Sequence, residues 1–283
     1  MVRFMMRKKS YAKITLFLYA YKEGDILKFR NVIVPIDLFD MVYLEKNDVM
    51  EISTNKKYLP NDKRNTVYLA LDLLKKQYGI TDNFKVHIVK NIPAQSGLGG
   101  GSSNAATIIN MFDEMYDLKM SLEEKNDIAM QIDEDTPYCV LSKPAMVEGI
   151  GEIVTPFDLE MDLYYIVVKP GFGVSTKSFL RKFNDVDLAY ASHMELMKDA
   201  LLNQDYDEMI SLRYNGFQNT VTKRYNAMSH VIDRLESMEL DGVGMSGSGS
   251  VVFGLSTSKE KVMAIYEKIA LEYPFVKYGR VLK

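Results

Sequence analysis

One segment of this 283-residue chain constrains its fold most strongly, a glycine-rich loop between a predicted strand and a predicted helix. Before the loop, Phe84–Val89 alternates apolar and polar residues, which is typical of a strand with one buried face. After the loop, apolar residues recur at helical spacing between Ser103 and Tyr116. The glycines allow backbone N–H groups to face a polyanion, and the positive end of the helix adds to that attraction. The pattern therefore predicts a phosphate-binding loop.

The residues around the glycines argue against two common types of phosphate-binding loop. No lysine follows them as in G-x-x-x-x-G-K-[ST], and the dinucleotide pattern with an acidic residue on the next strand is missing. Ser102 and Ser103 are predicted to cap the helix, and one hydroxyl could reach a phosphate or its Mg²⁺. The alternative is a flexible loop with a serine cap and no ligand.

Charge and composition exclude several classes of protein. The net charge is −3 with acidic and basic residues mixed, which disfavours a nucleic-acid partner. A single cysteine and three dispersed histidines exclude a disulfide framework and a cysteine-cluster metal site. The apolar run Ile14–Tyr21 is too short to span a membrane and predicts a buried strand. We expect a cytoplasmic protein without a membrane partner.

The remaining pattern predicts a mixed chain in two α/β halves, with a boundary near residue 160 at a polar break. Further strands are predicted at Ile14–Ala20, Asp40–Leu44, Tyr164–Val168 and Gly249–Gly254, and further helices at Asn65–Tyr78, Leu122–Ile132, His193–Leu202 and Tyr225–Ser237.

Several other segments occur in a characteristic order along the chain. They are YAKITLFL at Tyr11–Leu18, NTVYLA at Asn65–Ala70, Asp135–Pro137, EGIGE at Glu148–Glu152, KPGFGVST at Lys169–Thr176 and MSGSGS at Met245–Ser250. Together with GLGGGSS, this order resembles the kinases named for galactose, homoserine, mevalonate and phosphomevalonate (GHMP kinases). The resemblance implies a two-domain α+β fold. Residues 1–160 would form an ATP-binding domain related to ribosomal protein S5, and residues 161–283 a ferredoxin-like domain.

The resemblance also implies the chemistry, which is transfer of the γ-phosphate of ATP to a small alcohol with the help of Mg²⁺. Lys13 matches the family's active-site lysine and would stabilise phosphoryl charge. By itself, a lysine on an apolar strand more often extends to solvent. Asp135 matches the catalytic aspartate and would accept the proton of the acceptor hydroxyl. Its acidic neighbours Asp133 and Glu134 resemble a solvated surface run, although Pro137 indicates a turn that enters the core.

The remaining site residues follow from the same motifs. Ser103 is expected to contact the Mg²⁺ of Mg·ATP, and Phe179 lies near a family position that stacks on the acceptor's base. By itself, the second glycine segment could be an ordinary turn before a strand, and Asn65 only a helix N-cap. The predicted ATP-binding residues are Asn65, Pro93, Gly97, Leu98, Gly99, Gly100, Gly101, Ser102, Ser103, Gly247, Ser248 and Gly249.

The expanded GLGGGSS loop resembles the diphosphocytidyl branch of the family. That branch implies phosphorylation of the 2-hydroxyl of 4-diphosphocytidyl-2-C-methyl-D-erythritol, on the non-mevalonate route to isoprenoid precursors. The branch's Gly-Tyr-His cytidine motif is replaced here by Asp25, Ile26 and Leu27. A family kinase for another alcohol, such as mevalonate, a sugar or a nucleoside derivative, and a non-catalytic nucleotide-binding regulator are the alternatives. We expect a monomer or a homodimer.

Overall fold

The computed structural model describes residues 5–174 and 188–283. Contacts divide the chain into two compact units. The first unit comprises the described parts of Met1–Ala12, Leu38–Pro93 and Gly99–Ser142, and the second comprises Lys13–Asp37, Ala94–Leu98 and Lys143–Lys283. The chain therefore passes between the units several times, once within the glycine-rich loop. The domain boundary predicted near residue 160 stays a prediction.

The first unit combines a sheet with helices. Strand β4 (Asn83–Val89) pairs in parallel with β3 (Glu51–Thr54) and antiparallel with the end of β2 (Ile26–Asn47). Its helices are α1 (Thr66–Tyr78), α2 (Gly100–Tyr116), α3 (Leu122–Met130) and α4 (Thr136–Leu141).

The alternation of β4 buries one face of that strand. Phe84, Val86 and Ile88 are buried as predicted, and the Phe84 ring lies 5.6 Å from the ring of Phe112 on α2. Helices α1 and α2 pack against each other in the same unit. The packing fixes the position of the α2 N-terminus, which follows the glycine loop.

The second unit contains a four-stranded antiparallel sheet and two helices that pack on it. Its elements are β7 (Tyr164–Lys169), α8 (Asn226–Glu236), β9 (Asp241–Met245), β10 (Val252–Ser256), α9 (Lys259–Ile269) and β11 (Phe275–Arg280). Strands β7 and β10 lie at the centre of the sheet. Helices α8 and α9 contribute apolar residues to one core with the sheet, and the β-α-β-β-α-β order is that of a ferredoxin-like domain.

Other elements of the second unit pair with the long N-terminal strands. β5 (Ala145–Gly149) pairs with the start of β2 and with β6 (Ile153–Pro156), and β8 (Tyr214–Asn215) pairs in parallel with β1 (Met6–Glu23). The remaining helices are a 3₁₀ turn at Leu188–Tyr190, α5 (His193–Leu202), α6 (Tyr206–Ser211) and α7 (Gln218–Arg224).

The predicted elements are found, with shifted ends. The run Ile14–Ala20 lies inside β1 and is buried, as expected. The strand predicted from Gly249 begins instead at Val252, because Gly247 and Gly249 have φ of 54° and 82° and form a turn. Within the described ranges, no helix combines the length and the apolar character needed to cross a bilayer.

Candidate active site

The glycine-rich loop connects β4 to α2, as the sequence predicts. Gly99, with φ of 68°, is the N-cap of the 17-residue helix α2, and no side chain caps the first turn. The prediction that Ser102 and Ser103 cap this helix is wrong. The left-handed backbone of Gly99 starts the helix at Gly100, so both serines lie inside it.

Two of the glycines are required by close packing. A Cβ on Gly97 would lie 1.9 Å from the Ser246 carbonyl oxygen, and Gly97 has φ of +78°. A Cβ on Gly100 would lie 2.8 Å from Cγ2 of Ile92. The loop is therefore a backbone surface that side chains at these positions would disrupt, which is the property of a phosphate cradle.

A second helix begins beside this loop in the first unit. Asn65 caps α1, since its Oδ1 accepts from Val67 N at 3.0 Å and its Nδ2 donates to Pro60 O at 2.8 Å. Thr66 Oγ1 donates to Gly101 O at 2.9 Å. Neither helix carries an acidic residue in its first turn. Two positive helix ends thus meet at one place, and they favour an anion there.

Lys13 lies in the second unit beside both glycine segments. Its backbone N donates to Leu98 O at 3.0 Å, and its Nζ donates to Thr15 Oγ1 at 3.1 Å. A Cβ on Gly247 would lie 3.5 Å from Lys13 Nζ. The side chain is only 4% exposed, so the ammonium group lies in a protected position next to the second glycine turn.

Side chains that sequence analysis missed hold the second glycine segment in place. Asn215 Nδ2 donates to Met245 O at 2.7 Å and to Gly247 O at 2.9 Å. Ser246 Oγ donates to Gly97 O at 2.9 Å and accepts from Thr15 N at 3.2 Å. The turn predicted at Gly247, Ser248 and Gly249 is present, and it is joined to Gly97 within the second unit.

Asp135 lies at the start of α4 in the first unit. It is the N-cap residue of that helix, it is half-buried, and its side chain does not make the cap hydrogen bond. The neighbouring Glu134 is exposed, whereas Asp133 accepts several hydrogen bonds. Burial, with the nearby Asp135 carboxylate second, raises the pKa of Asp133 above its ordinary value. The two catalytic candidates, Lys13 and Asp135, thus belong to different units.

A buried polar network supports the loop from within the first unit, and sequence analysis missed it. Lys90 Nζ forms an ion pair with Asp40 and donates to Asn104 Oδ1 at 2.8 Å. Asp40 Oδ1 accepts from the backbone N–H groups of Asn91 and Ile92, just before the loop. Burial lowers the pKa of Lys90, and the charge of Asp40 opposes that shift. The network joins the end of β4 to the first turns of α2.

Phe179 and the segment Asp25, Ile26 and Leu27 are the positions that the sequence relates to the acceptor. Phe179 lies outside the described residues. Gly24 and Asp25 form the turn between β1 and β2, Ile26 and Leu27 begin β2, and the Ile26 side chain is 56% exposed. No group of three or more His, Cys, Asp or Glu side chains suited to a metal occurs in the described parts of the chain.

Comparison with known proteins decides the family. The model for the GHMP kinases N terminal domain matches residues 65–143, and the model for the GHMP kinases C terminal matches residues 197–274. The chain belongs to the GHMP kinase family. It is therefore an ATP-dependent small-molecule kinase with the two-domain α+β fold of this family, as the resemblance implied.

Relatives of known name cover nearly the whole chain. The 4-diphosphocytidyl-2-C-methyl-D-erythritol kinase of Clostridium perfringens is 32% identical over 274 residues, which is 95% of each chain. The kinase of the same name from Clostridium beijerinckii is 30% identical and covers 98% of this chain and 100% of the relative.

Solved structures show the same fold. A 4-(cytidine 5′-diphospho)-2C-methyl-D-erythritol kinase superimposes with a TM-score of 0.80 at 24% identity, over 98% of this chain and 100% of the other. The mevalonate kinase of Methanococcus jannaschii gives a TM-score of 0.74 at 14% identity, over 99% of both chains.

Proposed function

We propose that this GHMP kinase transfers the γ-phosphate of ATP to the 2-hydroxyl of 4-diphosphocytidyl-2-C-methyl-D-erythritol, in the non-mevalonate route to isoprenoid precursors. The observation that carries the acceptor is the end-to-end similarity to relatives that bear the name of that kinase. The joined glycine segments beside Lys13 support the ATP side of the reaction.

In this mechanism, backbone N–H groups bind the phosphates of ATP. The N–H groups at the start of α2, with Asn65 and the Gly247–Gly249 turn, bind and orient ATP. Lys13 stabilises the charge that develops on the transferred phosphoryl group, and its protected position strengthens that interaction. Binding of this kind supplies the positioning on which phosphoryl transfer depends.

Asp135 accepts the proton of the acceptor hydroxyl. The acceptor oxygen forms a bond to the γ-phosphorus while the bond from that phosphorus to the β,γ-bridging oxygen breaks, and ADP leaves with the electron pair. The hydroxyl proton passes to the Asp135 carboxylate. Asp135 is half-buried at the N-terminus of α4, and we propose this as the position from which its carboxylate acts as the base.

Mg²⁺ fits this site as an ion carried by ATP. The described residues offer no cluster of acidic ligands, whereas Ser103 Oγ lies in the first turns of α2. Mg²⁺ in such sites keeps several waters and binds mainly through substrate phosphates, where it neutralises developing charge. Ser103 is the residue that would contact it.

The test is phosphorus NMR of the purified protein with Mg·ATP and a panel of acceptors. The panel comprises the diphosphocytidyl erythritol, mevalonate, several sugars and nucleosides. We expect a new phosphomonoester signal with the first compound alone. A signal with another acceptor would support the second candidate, a GHMP kinase for a different alcohol, which the replacement of Gly-Tyr-His by Asp25, Ile26 and Leu27 favours.

Asp135→Asn tests the base assignment. The variant should lower kcat at least about a hundredfold while ATP binding, measured by calorimetry, changes little. Glu134→Gln is the matched control, because Glu134 is an exposed neighbouring carboxylate. Full turnover in Asp135→Asn would refute the role of Asp135, and loss of ATP binding would show that the residue serves the nucleotide instead.

A further inference from the structure

Asp133 holds the turn that carries Asp135. Asp133 Oδ1 accepts from Asp135 N at 3.1 Å, from Thr136 N at 2.9 Å and from Thr136 Oγ1 at 2.7 Å. Two of these bonds satisfy the backbone N–H groups of the N-cap residue Asp135 and of the first helical residue Thr136, and the side chain of Asp135 makes no cap hydrogen bond of its own. Asp133, two residues before the proposed base, thus caps the start of α4 in place of Asp135.

The second carboxylate oxygen of Asp133 makes a contact that capping does not require. Ser102 Oγ donates to Asp133 Oδ2 at 3.0 Å. Ser102 belongs to the first turn of α2 and is 8% exposed. One side chain therefore connects the turn of Asp135 directly to the helix that begins at the glycine loop, and all of these residues lie in the first unit.

The position is electrostatically unfavourable for a residue with only a structural role. Burial and the charge of Asp135 both raise the pKa of Asp133, so the site opposes ionisation of this carboxylate. A serine can also accept from the N–H groups of this turn, although more weakly than an aspartate, and it places no charge next to the base. A serine is too short, however, to cap the turn and also reach across to Ser102.

We propose that Asp133 is a positioning residue for phosphoryl transfer, which fixes Asp135 relative to the phosphate loop through its hydrogen bond to Ser102. The proposal rests on the proposed function, since it takes Asp135 as the base. Asp133 does not itself contact the reacting atoms in this role. It maintains the distance between the proton acceptor and the helix start that binds ATP, and small errors in such distances are costly.

A double-mutant cycle in the full-length protein tests this role. Asp133→Ser keeps the cap and removes the reach to Ser102, so kcat should fall about tenfold to hundredfold while the KM for ATP changes less than about threefold. Asp133→Asn keeps the length and can pair with Ser102 Oγ through its amide, so it should retain most of kcat. Ser102→Ala should lower kcat in the wild type but add little in Asp133→Ser.

The matched control is Asp205→Ser. Asp205 caps the equally short helix α6 by accepting from Glu208 N at 3.0 Å, so the same substitution there should leave kcat unchanged. Melting temperatures are measured for every variant. If Asp133→Ser does not fold, the two folded variants decide: Ser102→Ala should lower kcat while Asp133→Asn retains most of it, and an unchanged kcat in Ser102→Ala would overturn the proposal.

Two results would overturn the proposal: an unchanged kcat in Asp133→Ser, or an equal effect of Ser102→Ala in both backgrounds. Either would leave Asp133 as a local cap only. The cycle uses whichever acceptor gives the phosphomonoester, so an error in the acceptor does not affect it. Turnover that persists in Asp135→Asn would instead refute the base assignment, and that variant is measured separately.

Discussion

Gly97→Ala should introduce a steric clash where the two glycine segments contact each other, and it should destabilise the protein. The new Cβ would lie 1.9 Å from Ser246 O and 2.9 Å from its carbonyl carbon, far inside the contact distance of about 3.5 Å. Ser246 would have to move, and its hydrogen bond to Gly97 O would be lost with it. Because the Gly247 turn follows Ser246 directly, we expect the proposed ATP-binding groups beside Lys13 to be displaced.

The expected loss of unfolding free energy has two contributions, backbone strain and overpacking. Gly97 has φ of +78°, and an alanine in the left-handed region costs about 1–2 kcal/mol. Overpacking against a fixed backbone atom adds about 1–3 kcal/mol. Gly97→Ala should therefore lower the free energy of unfolding by about 2–5 kcal/mol.

Gly79→Ala is the control variant that separates backbone strain from overpacking. Gly79 has φ of +64°, and a Cβ there would meet nothing within 4 Å, so this variant carries only the backbone strain of about 1–2 kcal/mol. Both variants are compared by denaturant unfolding, ATP affinity and kcat/KM. Equal destabilisation of the two, with wild-type kcat/KM in Gly97→Ala, would refute the idea that this contact aligns the ATP site.

Two further predictions concern buried polar groups. Asp40→Asn leaves the Lys90 ammonium buried without its counter-charge and should destabilise the protein by about 3–5 kcal/mol. Asp72→Asn, which breaks an exposed ion pair with Lys76, should destabilise it by less than about 0.5 kcal/mol. Equal losses of unfolding free energy in chemical denaturation would contradict this prediction. The Tyr138 hydroxyl is buried with no hydrogen-bond partner among the described residues, so Tyr138→Phe should raise the unfolding free energy by about 1 kcal/mol. A lower melting temperature for Tyr138→Phe would show that the hydroxyl is satisfied.

Local features of the fold were predictable because local signals determine them. The alternation of β4, the glycine loop and the apolar face of α2 lie next to each other in sequence, and the structure has them in that order. Even there, the start of α2 was misassigned by the serine-cap rule. Four glycines in five positions allow the backbone to begin the helix before the first serine, and no capping side chain is needed.

The supports of the site were not predictable because their partners are distant in sequence. Asp133 is in an acidic run that resembles solvated surface, and its role depends on Ser102, 31 residues earlier. Asn215 lies in a short polar segment that resembles a turn, yet it binds two carbonyl groups 30 and 32 residues later. Asp40 and Lys90 are separated by 50 residues, and no periodicity relates them.

These supports share a physical cause. In the proposed site both glycine segments present backbone to the nucleotide, and a backbone without Cβ atoms cannot fix its own conformation by side-chain packing. Their shape must then be imposed by neighbours: Asn215 and Ser246 on the second segment, and the Asp40–Lys90 pair below the first. A motif identifies the groups proposed to contact ATP, here the glycines and Lys13, whereas the residues that hold those groups in place carry no motif. Substitutions at the supports should therefore alter catalysis while the recognisable motifs remain intact.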